Sequence, residues 1–303
     1  QSSLFTDMMQ SKAFRYGTVK RRFSARAMSL LMLLLLWTNA ISGQVTQKEE
    51  KHKKVRLLPV PALGYSPETR TYVGAVVLAT LDLYQDTLTR TSNMKAEFNY
   101  TWRKQIITEL SWNYFFEREK WFTQGLLHYS KYPDWYYGVG ATTAQSDQVT
   151  YESKRFMADI NFLRNLGANF FLGPRLRYLK YEGLHYDEST LYSELKNASN
   201  IGLGFTALND TRNNLLNATS GHFLEVSSTY NSSSSDRYLK LLVDARYYKQ
   251  MDNKVILALR WVNDVTAGTP PFYDYALLGG DKWARGYYYG RYRDRNLSTL
   301  QAE

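Results

Sequence analysis

The chain has 303 residues, a formal net charge of +10, 25 tyrosines, 15% aromatic residues, a mean hydropathy of −0.45 and no cysteine. Without cysteine, neither a disulfide framework nor a thiolate metal site is available. Residues 1–54 hold ten Lys/Arg against three Asp/Glu and supply +7 of the charge; the other 249 residues stand near balance at +3, which argues against the basic patch of a nucleic-acid binder.

Residues 1–27 are expected to be upstream or non-native sequence ahead of Met28. Lys20-Arg-Arg22 and Arg26 precede the apolar run Leu30–Trp37, and small residues at Ala40 and Gly43 follow at signal-peptidase spacing. Residues 28–43 therefore read as a signal peptide, since the apolar run falls well short of the ~20 residues a membrane-spanning helix needs. Residues 44–54 form a short charged tether, with no domain-sized segment before the first strand.

From residue 55 onward the pattern is strict alternation. Ala96, Phe98, Tyr100 and Trp102 share one face, with Lys95, Glu97, Asn99 and Thr101 on the other. The same period recurs over 106–117, 156–162, 170–178, 239–247 and 255–261, and more weakly near 55–64, 71–84, 121–131, 198–208 and 222–230. Period-two segments of about ten residues match tilted strands crossing a membrane. A soluble β-sandwich also alternates, but aromatics near the segment ends favour the girdles of a membrane barrel. The expected fold is all-β, an antiparallel transmembrane β-barrel over 55–303, with eleven strands before a glycine-rich loop and a twelfth starting at Leu297. Long connections at 132–149, 182–198 and 268–296 share one parity and are assigned to the outside. The exception is Asn209–Gly221, long and on the inner side.

Pro59 and Pro61 lie in the first strand and remove two donors from one of its edges. They either weaken a seam that opens or mark the approach from the tether. Near the end, 275–294 carries Gly279, Gly280, Gly286 and Gly290 among tyrosines and arginines. It is expected to fold back into the barrel, where Arg285, Arg291 and Arg293 would each need a carboxylate if buried. Glycine pairs at 138/140 and 202/204 look like strand glycines, and no dinucleotide fingerprint continues from them. The histidines at 52, 128, 185 and 222 are scattered. No catalytic constellation, cofactor site or metal site can be named, so the chain is not read as an enzyme.

Asn209-Asp-Thr-Arg-Asn-Asn…Ser220-Gly221 resembles the Asp-Thr-Arg-Asp-Asn-Pro…Pro-Thr-Arg-Gly turn of the outer-membrane assembly barrels typified by BamA and TamA, the bacterial surface antigen family. Asp210, Arg212 and Gly221 match that turn; Asn213, Leu215, Ala218 and Ser220 depart from it. Leu277-Leu-Gly-Gly280 followed by Ala284-Arg-Gly-Tyr287 resembles the family's sixth-loop motif, with weaker support from Tyr137–Gly140 and 67–69. The resemblance implies a sixteen-stranded barrel in the bacterial outer membrane, continuing beyond Glu303. It implies an Arg285 that enters the lumen to pair with an acidic residue on a later strand, with Gly279, Gly280, Gly286 and Tyr287 framing it. Periplasmic receiving modules are expected to be missing. The implied role is insertion or translocation of proteins or lipids, with outer-membrane lipid, nascent outer-membrane proteins and periplasmic chaperones as partners. A passive pore or structural surface barrel is the second class left open.

Overall fold

The computed structural model describes residues 55–303 except 67–69, 85, 87, 103, 187–191, 216, 234–235, 253–254, 281–283 and 285. The signal-type segment and the tether lie outside the described residues, as does Arg285. Among the described residues there are fourteen strands: β1 (Val55–Ser66), β2 (Arg70–Leu81), β3 (Ser92–Thr101), β4 (Ile106–Phe115), β5 (Trp121–Tyr136), β6 (Val149–Gly167), β7 (Phe170–Tyr186), β8 (Ala198–Asp210), β9 (Gly221–Ser233), β10 (Arg237–Asp252), β11 (Val255–Gly268), β12 (Ala276–Leu278), β13 (Tyr292–Asp294) and β14 (Asn296–Ala302).

Twelve of them form one antiparallel sheet in the order β1 through β11 and then β14, each strand hydrogen-bonded to its sequence neighbour. Eleven strands precede the glycine-rich loop, and the twelfth begins one residue before Leu297. β12 and β13 form a separate hairpin within the β11–β14 connection.

Burial runs opposite to that of a soluble sandwich. On β8, Asn200 and Thr206 are buried while Leu203 and Phe205 are 63% and 66% exposed. On β3, Asn99 and Thr101 are buried while Phe98 and Tyr100 are exposed. On β9, Ser227, Thr229 and Asn231 are buried around an exposed Tyr230. A sheet whose polar residues face inward and whose Leu, Phe and Tyr face outward belongs in lipid, where the outer face needs no water.

The inner-side turns are mostly short. β6 and β7 are joined by Ala168 and Asn169, both at positive φ (50° and 56°), as a two-residue primed hairpin turn requires. Two inner connections are long. One is the expected 211–220; the other, 82–91, is a correction to the reading of 71–84 as continuous strand. β2 stops at Leu81, and the alternation of Asp82, Leu83 and Tyr84 continues into a loop.

Two apolar clusters occupy the concave face, one at each end. Phe115, Phe122, Leu163, Phe171, Leu208 and Phe223 lie at the inner end, beside the even-to-odd turns. Tyr136, Tyr151, Leu179, Tyr181, Leu195, Phe272 and Tyr273 lie at the outer end under the β11–β14 loop. Between them is a chamber of about 670 Å³ lined by charged and apolar side chains, among them Asp159, Arg175, Arg177, Lys240 and Asp264.

Candidate functional site

The β11–β14 loop turns back over the outer cluster and is tied to the wall at separated points. Its Asp274 carboxylate accepts from Arg177 Nη2 (2.8 Å) on β7, from Tyr238 Oη (2.5 Å) on β10 and from Lys240 Nζ (3.4 Å). Lys240 also donates to the Asp274 carbonyl (2.8 Å). Asp274 is almost fully buried, as is Arg177. Burial alone would raise the Asp274 carboxyl, but Arg177 and Lys240 outweigh it and hold the group below the usual carboxylate range. Further along, Tyr288 Oη donates to Asp134 Oδ1 (2.6 Å) on β5; burial and that carboxylate push the phenol upward. The other Asp134 oxygen accepts from Arg155 Nη2 (2.9 Å) and Tyr151 Oη (3.2 Å).

Arg293 corrects the expectation that a buried loop arginine takes a carboxylate; Arg291 is only half-buried. Arg293 is buried, yet its nearest acceptors are the carbonyls of Trp135 (3.2 Å), Phe272 (3.4 Å) and Gly290 (3.4 Å), with the Tyr136 ring 5.1 Å away. Arg291 lies over the Tyr137 and Tyr292 rings (4.5 and 4.4 Å) and donates to the Thr143 carbonyl (2.8 Å). A guanidinium has five donors and a flat face, and carbonyls plus tyrosine rings satisfy both. Gly138 and Gly140 are not strand glycines: both lie in the β5–β6 connection at φ 87° and 121°. Gly140 N donates to the Arg293 carbonyl (2.7 Å), which joins this connection to the loop.

The glycine motif makes the loop's tight return. Gly280 N donates to the Tyr287 carbonyl (2.8 Å), and Gly279 sits at φ 119°, where any Cβ would collide with the Tyr288 carbonyl. Gly286 (φ 96°) faces open space, and Tyr287 is exposed with its ring 5.9 Å from Tyr292. Thus Gly279, Gly280 and Tyr287 are brought together, whereas Arg285 lies outside the described residues. The charged loop group seen to meet a wall arginine is an aspartate, Asp274. Its sequence signal was an arginine at an inward-facing position on β7, which needs a counter-charge if buried.

At the inner end the turn motif is compact. Arg212 grips Asp210 with two bonds of 2.9 Å, and its guanidinium lies 4.6 Å from the Phe223 ring centre. Gly221 is at φ 101°, and a Cβ there would run into the Thr211 carbonyl. Gly221→Ala is expected to cost at least ~1–2 kcal/mol from the left-handed backbone alone, read as a lower urea midpoint for barrel unfolding.

Nothing in the residue pattern points to Arg90. From the 82–91 connection it donates to both Glu119 oxygens (2.8 and 2.9 Å) and to the Asp210 carbonyl (3.3 Å), and its guanidinium lies 4.5 Å from the Phe115 ring centre. Three inner connections therefore meet over the inner apolar cluster.

On β1 the pairing with β2 runs unbroken from Val55 to Ser66, through Pro59↔Val77 and Pro61↔Ala75. An unbroken ladder uses the donors of Leu58, Val60 and Ala62, so both proline nitrogens face the sheet's free edge.

Among the described residues, no three His, Cys, Asp or Glu come close enough to hold a metal ion. No helix there is long and apolar enough to cross a membrane, which bears only on helices.

No curated protein matches the chain significantly. Among solved structures, the chain is similar to BamA from Haemophilus ducreyi lacking POTRA domains 1–3, at 15% identity and a TM-score of 0.47. That similarity covers 80% of this chain and 47% of the other, so the chain spans about half the length of that structure. The Omp85 superfamily domain matches residues 79–301, from the end of β2 through β14. The chain belongs to the Omp85 superfamily and is a bacterial outer-membrane β-barrel protein.

Proposed function

We propose that this barrel assists the insertion or translocation of proteins, or of lipids, at the outer membrane, with β1 as the strand that offers its edge. The observation carrying this reading is the β1 edge itself: complete pairing on the β2 side, and two missing donors on the other. A strand laid along that edge forgoes two hydrogen bonds, worth about 1–3 kcal/mol together. Such a seam is held but can be opened, and the carbonyls of Pro59 and Pro61 still accept from an incoming strand. Nascent outer-membrane strands and the chaperones that deliver them are the partners this predicts.

Passive conduction is the competing reading, and the apolar clusters at both ends of the concave face speak against it. The test is reconstitution of the full-length protein in liposomes. Faster insertion of a model barrel, without matching ion flux, supports assembly; ion flux alone sinks it. Pro59→Val with Pro61→Val is expected to restore both donors and lower insertion several-fold, with less crosslinking at the β1 edge. An unchanged insertion rate would separate the prolines from the gate.

A further inference from the structure

We infer that the outward face of β5–β7 carries a binding site for the phosphorylated head group of an outer-leaflet lipid, centred on Lys131 and Lys154. The inference rests on the outer-membrane location and does not depend on assembly activity.

β6 and β7 are the longest strands, at 19 and 17 residues, and β5 matches β10 at 16; all run well beyond the ~9–11 needed to cross lipid. On their outward faces the apolar belt ends at its outer side with Tyr129, Phe156 and Tyr178. Tyr129 pairs with Phe156 in register, and the Phe156 and Tyr178 ring centres are 6.0 Å apart. One pleat further out stand Lys131 and Lys154, directly opposite each other across the β5–β6 ladder and both exposed. Lys180 lies beside them on β7, in register with Phe156. This is head-group depth, just above an aromatic girdle.

Like charges directly opposite on a sheet face repel. Two carboxylates share this face: Glu182 stands directly opposite Lys154 on β7 and draws partly on its charge, and neither faces Lys131. Glu182 is held by Lys180 at 2.6 Å. Glu152 stands one pleat further out, opposite Pro133 and His185. Among the described residues, no carboxylate forms an ion pair with Lys131 or Lys154. The row is also local, because the corresponding outer positions on β8 and β9 are Ser199 and Ser232.

Two ammonium groups a strand spacing apart, with Glu182 committed at close range to Lys180 rather than to either of them, stand above an aromatic shelf and suit a phosphate monoester on a sugar or glycerol. The phosphate oxygens would accept from both lysines, and the acyl chains would lie along the apolar belt below. Free phosphate lacks those chains and would bind far more weakly.

The full-length protein, in phosphatidylcholine nanodiscs doped with bisphosphorylated lipid A, is the sample that tests this. Lipid retained per barrel is measured after exchange into lipid-A-free nanodiscs. Lys131→Gln with Lys154→Gln is expected to weaken retention about thirtyfold, taking two lysines near an anionic surface. Lys131→Arg with Lys154→Arg should keep it, and Lys249→Gln at the inner end should leave it unchanged. Heat-dependent gel mobility of each variant reports that the barrel is folded. Retention undiminished in the double glutamine variant, or equal retention of dephosphorylated lipid A by the wild type, overturns the inference.

Discussion

Replacing Asp274 by alanine is expected to release the β11–β14 loop, raising hydrogen exchange at Gly280 and Gly290 by about 10²- to 10³-fold. Both amides are bonded within the loop, Gly280 N to Tyr287 O and Gly290 N to Leu278 O, so their exchange reports the loop's own opening. Asp274 and Arg177 are both nearly inaccessible, and removing one partner of a buried pair costs ~3–5 kcal/mol because the other charge stays desolvated. Without Asp274, Arg177 keeps the neutral Asn231 amide oxygen (3.2 Å) and a longer contact to the Asp159 carboxylate, with Nε 3.5 Å from the nearest oxygen. Lys240 keeps Asp264 at 3.3 Å.

Pairing Asp274→Leu with Arg177→Met should recover much of the loss, since no orphaned charge remains. The pH dependence has a definite sign. Asp274 is held below its ordinary value in the folded chain, so its contribution is complete above the unfolded carboxylate range. It fades only as pH falls through the lowered folded value. Exchange at Gly280 and Gly290, corrected for its intrinsic pH dependence, should therefore match between pH 7 and pH 5. Opening of the loop at pH 5, or unchanged exchange in Asp274→Ala, would remove Asp274 as its anchor.

What could be read from the residues followed from how many partners each one needs. A lipid-facing strand is specified position by position: Phe98 and Leu203 must meet lipid and Asn99 and Thr206 must not, whatever else the chain does. The strand count and the twelfth strand at 296–302 were legible for that reason. Asp210 and Arg212 stood out only through the resemblance of their turn to a family motif; the fork that joins them is what the structure adds. Arg90 was not legible, because Glu119 lies 29 residues away in another turn and the spacing carries no period. Arg293 misled in a different way. Backbone carbonyls can satisfy a guanidinium, and every residue has one, so such a partner leaves no trace in composition. The end of β2 was blurred because Leu83 and Tyr84 keep alternating after the ladder stops.

Arg90→Ala is the change expected to loosen the inner end most, lowering the stability of the barrel by about 2–3 kcal/mol. The figure lies below the fully buried range because Arg90 remains a quarter exposed, while Glu119 is 8% exposed. Glu119 also carries a backbone burden: it and Arg118 both sit at φ 53°, where side-chain-bearing residues lose about 1–2 kcal/mol each. That turn is held by Glu119 N donating to the Phe116 carbonyl (2.8 Å), by Arg118 N donating to Thr89 Oγ1 (2.8 Å) and by the Arg90 fork. Losing the fork leaves a shielded carboxylate and a strained turn with less to hold either. Arg90→Lys should recover only part of the loss, since an ammonium cannot bind both Glu119 oxygens in a planar fork or lie flat on Phe115. Arg118→Gly should act in the opposite direction, raising stability by up to about 1 kcal/mol, because it relieves the backbone and leaves the Arg90–Glu119 pair intact. Urea midpoints of the folded barrel in lipid vesicles, followed by tryptophan fluorescence, order these variants. If Arg90→Ala unfolds at the wild-type midpoint, the three inner connections are held by the Phe115–Phe171 cluster alone.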